Sequence, residues 1–154
     1  MAKISAGILL YRKNNKHLQV FLVHPGGPFF VKKDLGSWSI PKGELSEEED
    51  PLEAAKREFF EETGTLLDGM YIALSPVKQK SGKIVCAWAI EGNIDEKQIK
   101  SNLFQIEWPP KSGKLKEYPE IDRGEWFTIS DANEKIIPGQ APLLLELSSK
   151  VGVT

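Results

Sequence analysis

Short apolar blocks separated by polar turns run through most of the chain, and one long segment breaks that rhythm. Residues 3–11 and 18–24 are apolar segments flanking Lys13, Asn14, Asn15 and Lys16, a strand–turn–strand pattern that predicts a hairpin. Residues 25–37 read as a loop, with Pro25, Gly26, Gly27 and Pro28 at its start and Phe29, Phe30, Lys32 and Lys33 inside it. Trp38, Ser39 and Ile40 form a short extended piece, and Pro41, Lys42 and Gly43 turn the chain into an acidic stretch. Residues 50–63 read as a helix. Asp50 is a good N-cap, Pro51 suits the first helical position, Glu53 makes a capping-box-like pattern, and Gly64 stands where a glycine ends a helix.

Further strands are expected near 70–79, 83–91, 103–108 and 124–129, with a short helix at 95–101 and a loop at 109–113. Helices are expected at 131–137 and 141–150. Strands and helices alternate without repeats or low-complexity linkers. The pattern predicts an α/β or α+β fold, with a sheet between helices, in one domain spanning 1–154.

Composition narrows the partners. The 154 residues are 40% hydrophobic and 27% charged with a formal net charge of -2, as in a soluble globular domain. No global basic field draws the protein to nucleic acid or an anionic membrane, so any nucleotide partner is expected to be small and held locally. No apolar run approaches a membrane span, and the N-terminus lacks a signal-peptide pattern; cytoplasmic residence is the expectation. The single cysteine, Cys86, lies in an apolar run and reads as a buried strand thiol. His17 and His24 have no partner pattern that suggests a triad or a zinc site, and there is no P-loop or dinucleotide-binding glycine fingerprint.

Charge is concentrated instead. Between Glu44 and Glu62 nine acids face only Lys56 and Arg57, a local charge of -7. A run of acids usually marks a solvated helix face, but position argues otherwise here. With about 100° per residue, Glu58, Glu61 and Glu62 fall within about 100° of one another. Like charges on one face repel, whereas a hard divalent cation would reverse the sign of that interaction. Arg57 lies four residues before Glu61 and can pair with it. Leu52, Ala55 and Phe59 form an apolar stripe that would anchor the helix, with Phe60 as a second packing contact.

Gly43, Glu49, Arg57, Glu58, Glu61, Glu62 and Gly64 stand at the spacing of the Nudix box, and the segment 43–65 resembles that motif of the Nudix hydrolase family. Thr65 departs from it, since the family usually has an aliphatic residue there; this position packs a loop and carries no chemistry. The resemblance implies a Nudix-like α/β/α sandwich with a mixed central sheet and a loop–helix–loop catalytic motif. It implies hydrolysis of a pyrophosphate bond in a nucleoside polyphosphate, or in a nucleoside diphosphate linked to another moiety, with Mg²⁺ or, in its place, Mn²⁺. On this pattern Glu58, Glu61, Glu62 and the carbonyl of Gly43 would be metal ligands. Glu61 would also help deprotonate water, Arg57 would orient a glutamate, and Glu49 would support the loop.

A further glutamate outside the box would serve as base or extra ligand, and Glu120 and Glu107 are the candidates. Lys32, Lys33 and Lys42 are candidates to hold phosphates, although loop lysines are usually just solvated. Trp38 and Trp108 border loops and are candidates to stack on a base, while Trp88 and Trp126 read as core. The stretch Trp38 to Glu44 resembles the dinucleoside polyphosphate branch of the family, with nucleoside triphosphates, nucleotide sugars and RNA 5′ ends also open. Two other readings compete: a Nudix-fold nucleotide-binding module without catalysis, which would be expected to lack motif glutamates, and an isomerase, which would want a cysteine at its site.

Overall fold

A computed structural model describes residues 3–152. The first strand, β1 (Ile4–Asn14), is buried on both faces over most of its length. It forms a hairpin with β2 (His17–Pro25), and the register Asn14↔His17 leaves a two-residue turn. Asn15 and Lys16 both adopt positive φ there, the twist that a tight hairpin requires. β3 (Lys42–Glu44) runs antiparallel beside the start of β1. Helix α1 (Pro51–Thr63) follows, and both expected ends are present: the Asp50 side chain accepts from the Glu53 amide, and Gly64 closes the helix at φ 77°. The capping box is only half made, since the Glu53 carboxylate lies near Lys56 instead.

The expected strand at 70–79 is two short pieces, β4 (Ile72–Ala73) and β5 (Val77–Lys78), each paired with β6 (Ile84–Glu91). Pro76 offers no amide between them, and the Ser75 amide donates to the Glu146 carboxylate rather than to a strand. The expected helix at 95–101 is a single 3₁₀ turn, Glu96–Gln98, capped by Asp95. β7 (Leu103–Glu107) pairs with β8 (Leu115–Pro119) as a separate two-stranded sheet. β8 has no buried alternation and left no mark in the apolar pattern. The chain then forms β9 (Ile121–Thr128), α2 (Ile129–Lys135), a 3₁₀ turn at Pro138–Gln140, and α3 (Ala141–Val151).

The central sheet has the order β4-β6-β1-β2-β9, with β1 and β6 parallel and the other pairs antiparallel. Alternation along the central strands divides the core into two layers. Ile8, Leu10, Phe21 and Val23 face α1, where they meet Ala54, Ala55 and Phe59. Leu9, Val20 and Leu22 face the opposite side, against Ile136, Leu143 and Leu147 near and on the last helices. This is an α/β/α sandwich with a mixed sheet, as expected. Among the described residues no helix is long and apolar enough to cross a membrane. Cys86 sits on β6, the expected strand, but is half-buried instead of buried, and its partial burial raises its thiol pKa.

Phe59 is 1% exposed and Phe60 46%, so the expected packing role of Phe60 is not met: only one of the two adjacent rings is gripped by the core. Truncating Phe59 to Ala is predicted to cost about 3–5 kcal/mol in urea unfolding, and Phe60→Ala no more than about 0.5 kcal/mol. Comparable losses from both would contradict the orientation of α1.

Candidate functional site

The site begins where β3 passes the middle of α1. Gly43 lies so close to the helix that a Cβ there would stand 2.0 Å from Cδ of Glu58. Only glycine lets the loop backbone, with its carbonyl, approach that carboxylate. The loop leading to α1 is then fastened to the helix by Arg57. Its Nε and Nη2 donate to the two oxygens of Glu49 at 2.8 and 3.0 Å, a bidentate pair. Its Nη1 donates to Glu58 at 2.9 Å and to both oxygens of Glu61 at 3.1 Å. The guanidinium holds Glu49 down at about 2, and its three acidic partners push its own pKa up.

Glu62 has the opposite environment. It is 4% exposed, and burial, then Glu58 and Glu120, push its carboxyl up to about 9, against a smaller pull from Lys42. Glu58 is raised chiefly by burial, although Arg57 pulls it down, and Glu120 is raised by burial and by Glu61. Burial also lowers the Lys42 ammonium, with Lys83 adding to the effect. Carboxyls desolvated near one another, with too little positive charge among them, are the setting in which a hard divalent cation is most welcome. Glu58, Glu62 and the Gly43 carbonyl thus have the chemistry to hold one. Among the described residues, however, no three acid, histidine or cysteine side chains converge tightly enough to enclose an ion as they stand. Arg57 draws Glu61 toward itself, so the common face predicted from helical spacing is divided between an arginine side and a cavity side.

A cavity of about 270 Å³ opens beside Glu62. Lys42, Glu62 and Glu120 form its polar edge, and Phe30, Ile40 and Ile137 are among its apolar walls. Glu120 is placed by its backbone. Its amide donates to the Asn102 carbonyl at 2.8 Å, its carbonyl accepts from Gly26 at 2.8 Å, and the Asn102 amide in turn donates to the Glu61 carbonyl at 2.9 Å. Those three bonds tie the residue after β8 to the last turn of α1.

The structure therefore brings together Gly43, Arg57, Glu58, Glu61, Glu62, Lys42 and Glu120. It separates others. Trp38 is 1% exposed, packed edge-to-face on His24 and Phe127, with its indole N–H donated to Asp34; it is a core residue with no face free to stack on a base. Lys32 and Lys33 are exposed and do not line the cavity, where their neighbour Phe30 does. Glu107 accepts from the Lys111 amide and stabilises a turn away from the cavity. Trp88 and Trp126 are half-buried against the α1-side core, and Trp126 carries the Arg12 guanidinium on its ring at 4.1 Å. His24 has partners after all: it is buried, with Asp122 on Nδ1 at 2.9 Å and the Lys33 carbonyl on Nε2 at 2.7 Å, and joins the 26–37 loop to β9. Phe30 and Ile137 were not anticipated. An aromatic residue in a glycine-rich loop was the one available hint for Phe30, and nothing local marks Ile137.

Residues 1–147 match the family model described as the NUDIX domain. Over 116 residues the chain is 30% identical to the RNA pyrophosphohydrolase of Rhizobium meliloti (strain 1021), covering 66% of this chain and 64% of that relative. The chain thus spans somewhat under two thirds of the length of that protein. Its fold is shared with a C. elegans Ap4A hydrolase in a binary complex, with a TM-score of 0.69, 21% identity and 98% of each chain covered. It is shared too with the NUDIX domain of Shewanella oneidensis NrtR complexed with ADP ribose, with a TM-score of 0.64, 15% identity, and 99% and 90% of the two chains covered.

Glu62 sets a pH dependence whose sign is fixed. Its folded value of about 9 lies above the ordinary 4.5, so the folded state keeps a proton that the unfolded chain releases. The resulting stability is complete below 4.5 and is lost as pH rises toward about 9. Thermal melts in a metal chelator are predicted to fall steadily between pH 5 and pH 8, and Glu62→Gln to flatten that fall. An unchanged slope in the variant would contradict the buried, protonated acid.

Proposed function

The chain belongs to the NUDIX domain family, and we propose that it is a divalent-metal-dependent hydrolase that cuts a pyrophosphate bond in a nucleoside polyphosphate or in a nucleoside diphosphate linked to another moiety. The observation that carries this reading is the placing of Glu62 and Glu120, with Lys42, on a cavity that also has apolar walls, while Glu58 is near enough to Glu62 to raise its pKa. The names of relatives support it, since one is an RNA pyrophosphohydrolase and another an Ap4A hydrolase.

A bound Mg²⁺ or Mn²⁺ would neutralise phosphoryl oxygens and make water acidic enough to attack. The residues of this chain have separable tasks around that chemistry. Glu58 and Glu62, with the Gly43 carbonyl, would hold the ion. Arg57 fixes the position of Glu58 and Glu61 and leaves one Glu58 oxygen free of its own bonds. Glu120, which lines the cavity and has its pKa raised, would take a proton from the attacking water. Lys42 offers a partly desolvated ammonium to the phosphate chain, where loss of water strengthens its attraction. The apolar walls, with Phe30, suit a nucleobase. Nucleotides and Mg²⁺ abound in the cytoplasm, which is where this single-domain activity would operate.

Incubation with Mg²⁺ and a nucleotide panel, followed by measurement of released phosphate and nucleotides, tests the reading. Turnover of at least one pyrophosphate-linked nucleotide is expected, abolished by chelator and restored by metal. Glu62→Gln is expected to lower kcat by about 100-fold or more with circular dichroism unchanged, since the ion's share of the barrier is several kcal/mol. Tight nucleotide binding without turnover of any substrate would overturn catalysis in favour of a binding module.

A further inference from the structure

The β7–β8 hairpin is the one two-stranded sheet among the described residues that bonds to no strand of the central sheet. A lone ribbon of this kind is marginal unless something packs on it. Its root lies in the site, through the bonds of Asn102 to Glu61 and Glu120. From that root the 26–33 loop follows it outward. The Phe104 ring lies against Gly27, close enough that a Cβ there would be 2.9 Å from Cζ, and Phe29 meets Trp108 edge-to-face at 5.1 Å. Loop and hairpin thus form one arm, and because Phe30 lines the cavity, the arm continues the cavity wall away from the catalytic glutamates.

The arm's outer side combines two chemistries. Phe29 is 54% exposed and Val31 68%, with Trp108 half-buried beneath Phe29. The same loop and hairpin carry Lys32, Lys33, Lys111, Lys114 and Lys116, all exposed, against Glu107 and Glu117, and Asp34 is already paired with Lys135. An exposed aromatic ring on an arm that carries five exposed lysines matches a nucleobase with its phosphates, through stacking on the ring and charge on the chain.

Resting on the proposed hydrolase reading, we propose that this arm is a second nucleoside subsite, which takes the far base and adjacent phosphates of a dinucleoside polyphosphate while the cavity takes the near nucleoside. The extent of the surface favours one further nucleotide over an RNA chain. The arm offers one exposed aromatic ring, Phe29, backed by Trp108, and the protein beyond the arm carries net negative charge, whereas a longer strand needs a basic track that continues.

The test is equilibrium binding by calorimetry with Mg²⁺, using a methylene-bridged dinucleoside tetraphosphate and a methylene-bridged nucleoside triphosphate, neither of which needs turnover to report. The dinucleotide is expected to bind about tenfold more tightly than the mononucleotide, and Phe29→Ala to erase most of that preference. Lys111→Glu combined with Lys114→Glu should reduce it too, without disturbing the Phe29–Trp108 contact. Equal affinities in the unmodified protein, or a preference that survives both variants, would overturn the subsite. A 5′-triphosphorylated oligonucleotide that binds more tightly than the dinucleotide, and loses this advantage in Phe29→Ala, would overturn it in favour of RNA. If binding shows the preference while no substrate is turned over, the hydrolase reading fails and the subsite stands.

Discussion

The Arg57 guanidinium, gripping Glu49, Glu58 and Glu61 at once, is the interaction on which the site depends. It joins a loop residue to two residues of α1, so the loop between β3, which carries Gly43, and the helix is fastened to the helix itself. It also sorts the acids. Glu49 and Glu61 are given a positive partner, while Glu62 is left in an apolar setting with none but Lys42 nearby. An exposed ion pair alone contributes about 0–1 kcal/mol, so the significance of this hub lies in geometry more than in stability. One cation restrains three carboxylates, and the remaining charge deficit is concentrated at the cavity edge.

That division requires the sandwich. Phe59, Ala54 and Ala55 press α1 onto the β1–β2 side of the sheet, which fixes the helix's rotation. Glu62 lies three residues after Phe59, close to the buried stripe, and is carried into the protein with it. A helix rotated by a third of a turn would return Glu62 to solvent and its ordinary acidity. The apolar face therefore does two things: it holds the helix and it strips water from the acid. The β-side contributions arrive from elsewhere in the chain, with Gly43 from β3 and Glu120 from the junction between β8 and β9.

Much of this was legible because it is local. The ends of α1 follow from Asp50, Pro51 and Gly64, the hairpin from its polar turn, and the Arg57–Glu61 pair from a spacing of four. The box from Gly43 to Gly64 identified the acids as a set, and Glu120 was found as an acid beside a proline in a late loop. What was missed is non-local. Trp38 borders a loop in sequence, but its bridge to Ile136, and that of the adjacent Ser39 to Val23, draw it into the core. Phe30 and Ile137 reach one cavity from segments more than a hundred residues apart, and no periodicity encodes that meeting. Helical spacing placed Glu58, Glu61 and Glu62 on one face, yet rotamers and Arg57 decide which way each points.

If the unneutralised acids are there to receive a cation, binding must displace the proton that burial leaves on Glu62. Calorimetric titration of the metal-free protein with Mg²⁺ at pH 7, repeated in buffers of different ionisation enthalpy, measures that proton directly. Release of about one proton per bound ion is predicted, and Mg²⁺ binding without proton release would contradict a cation held by Glu62.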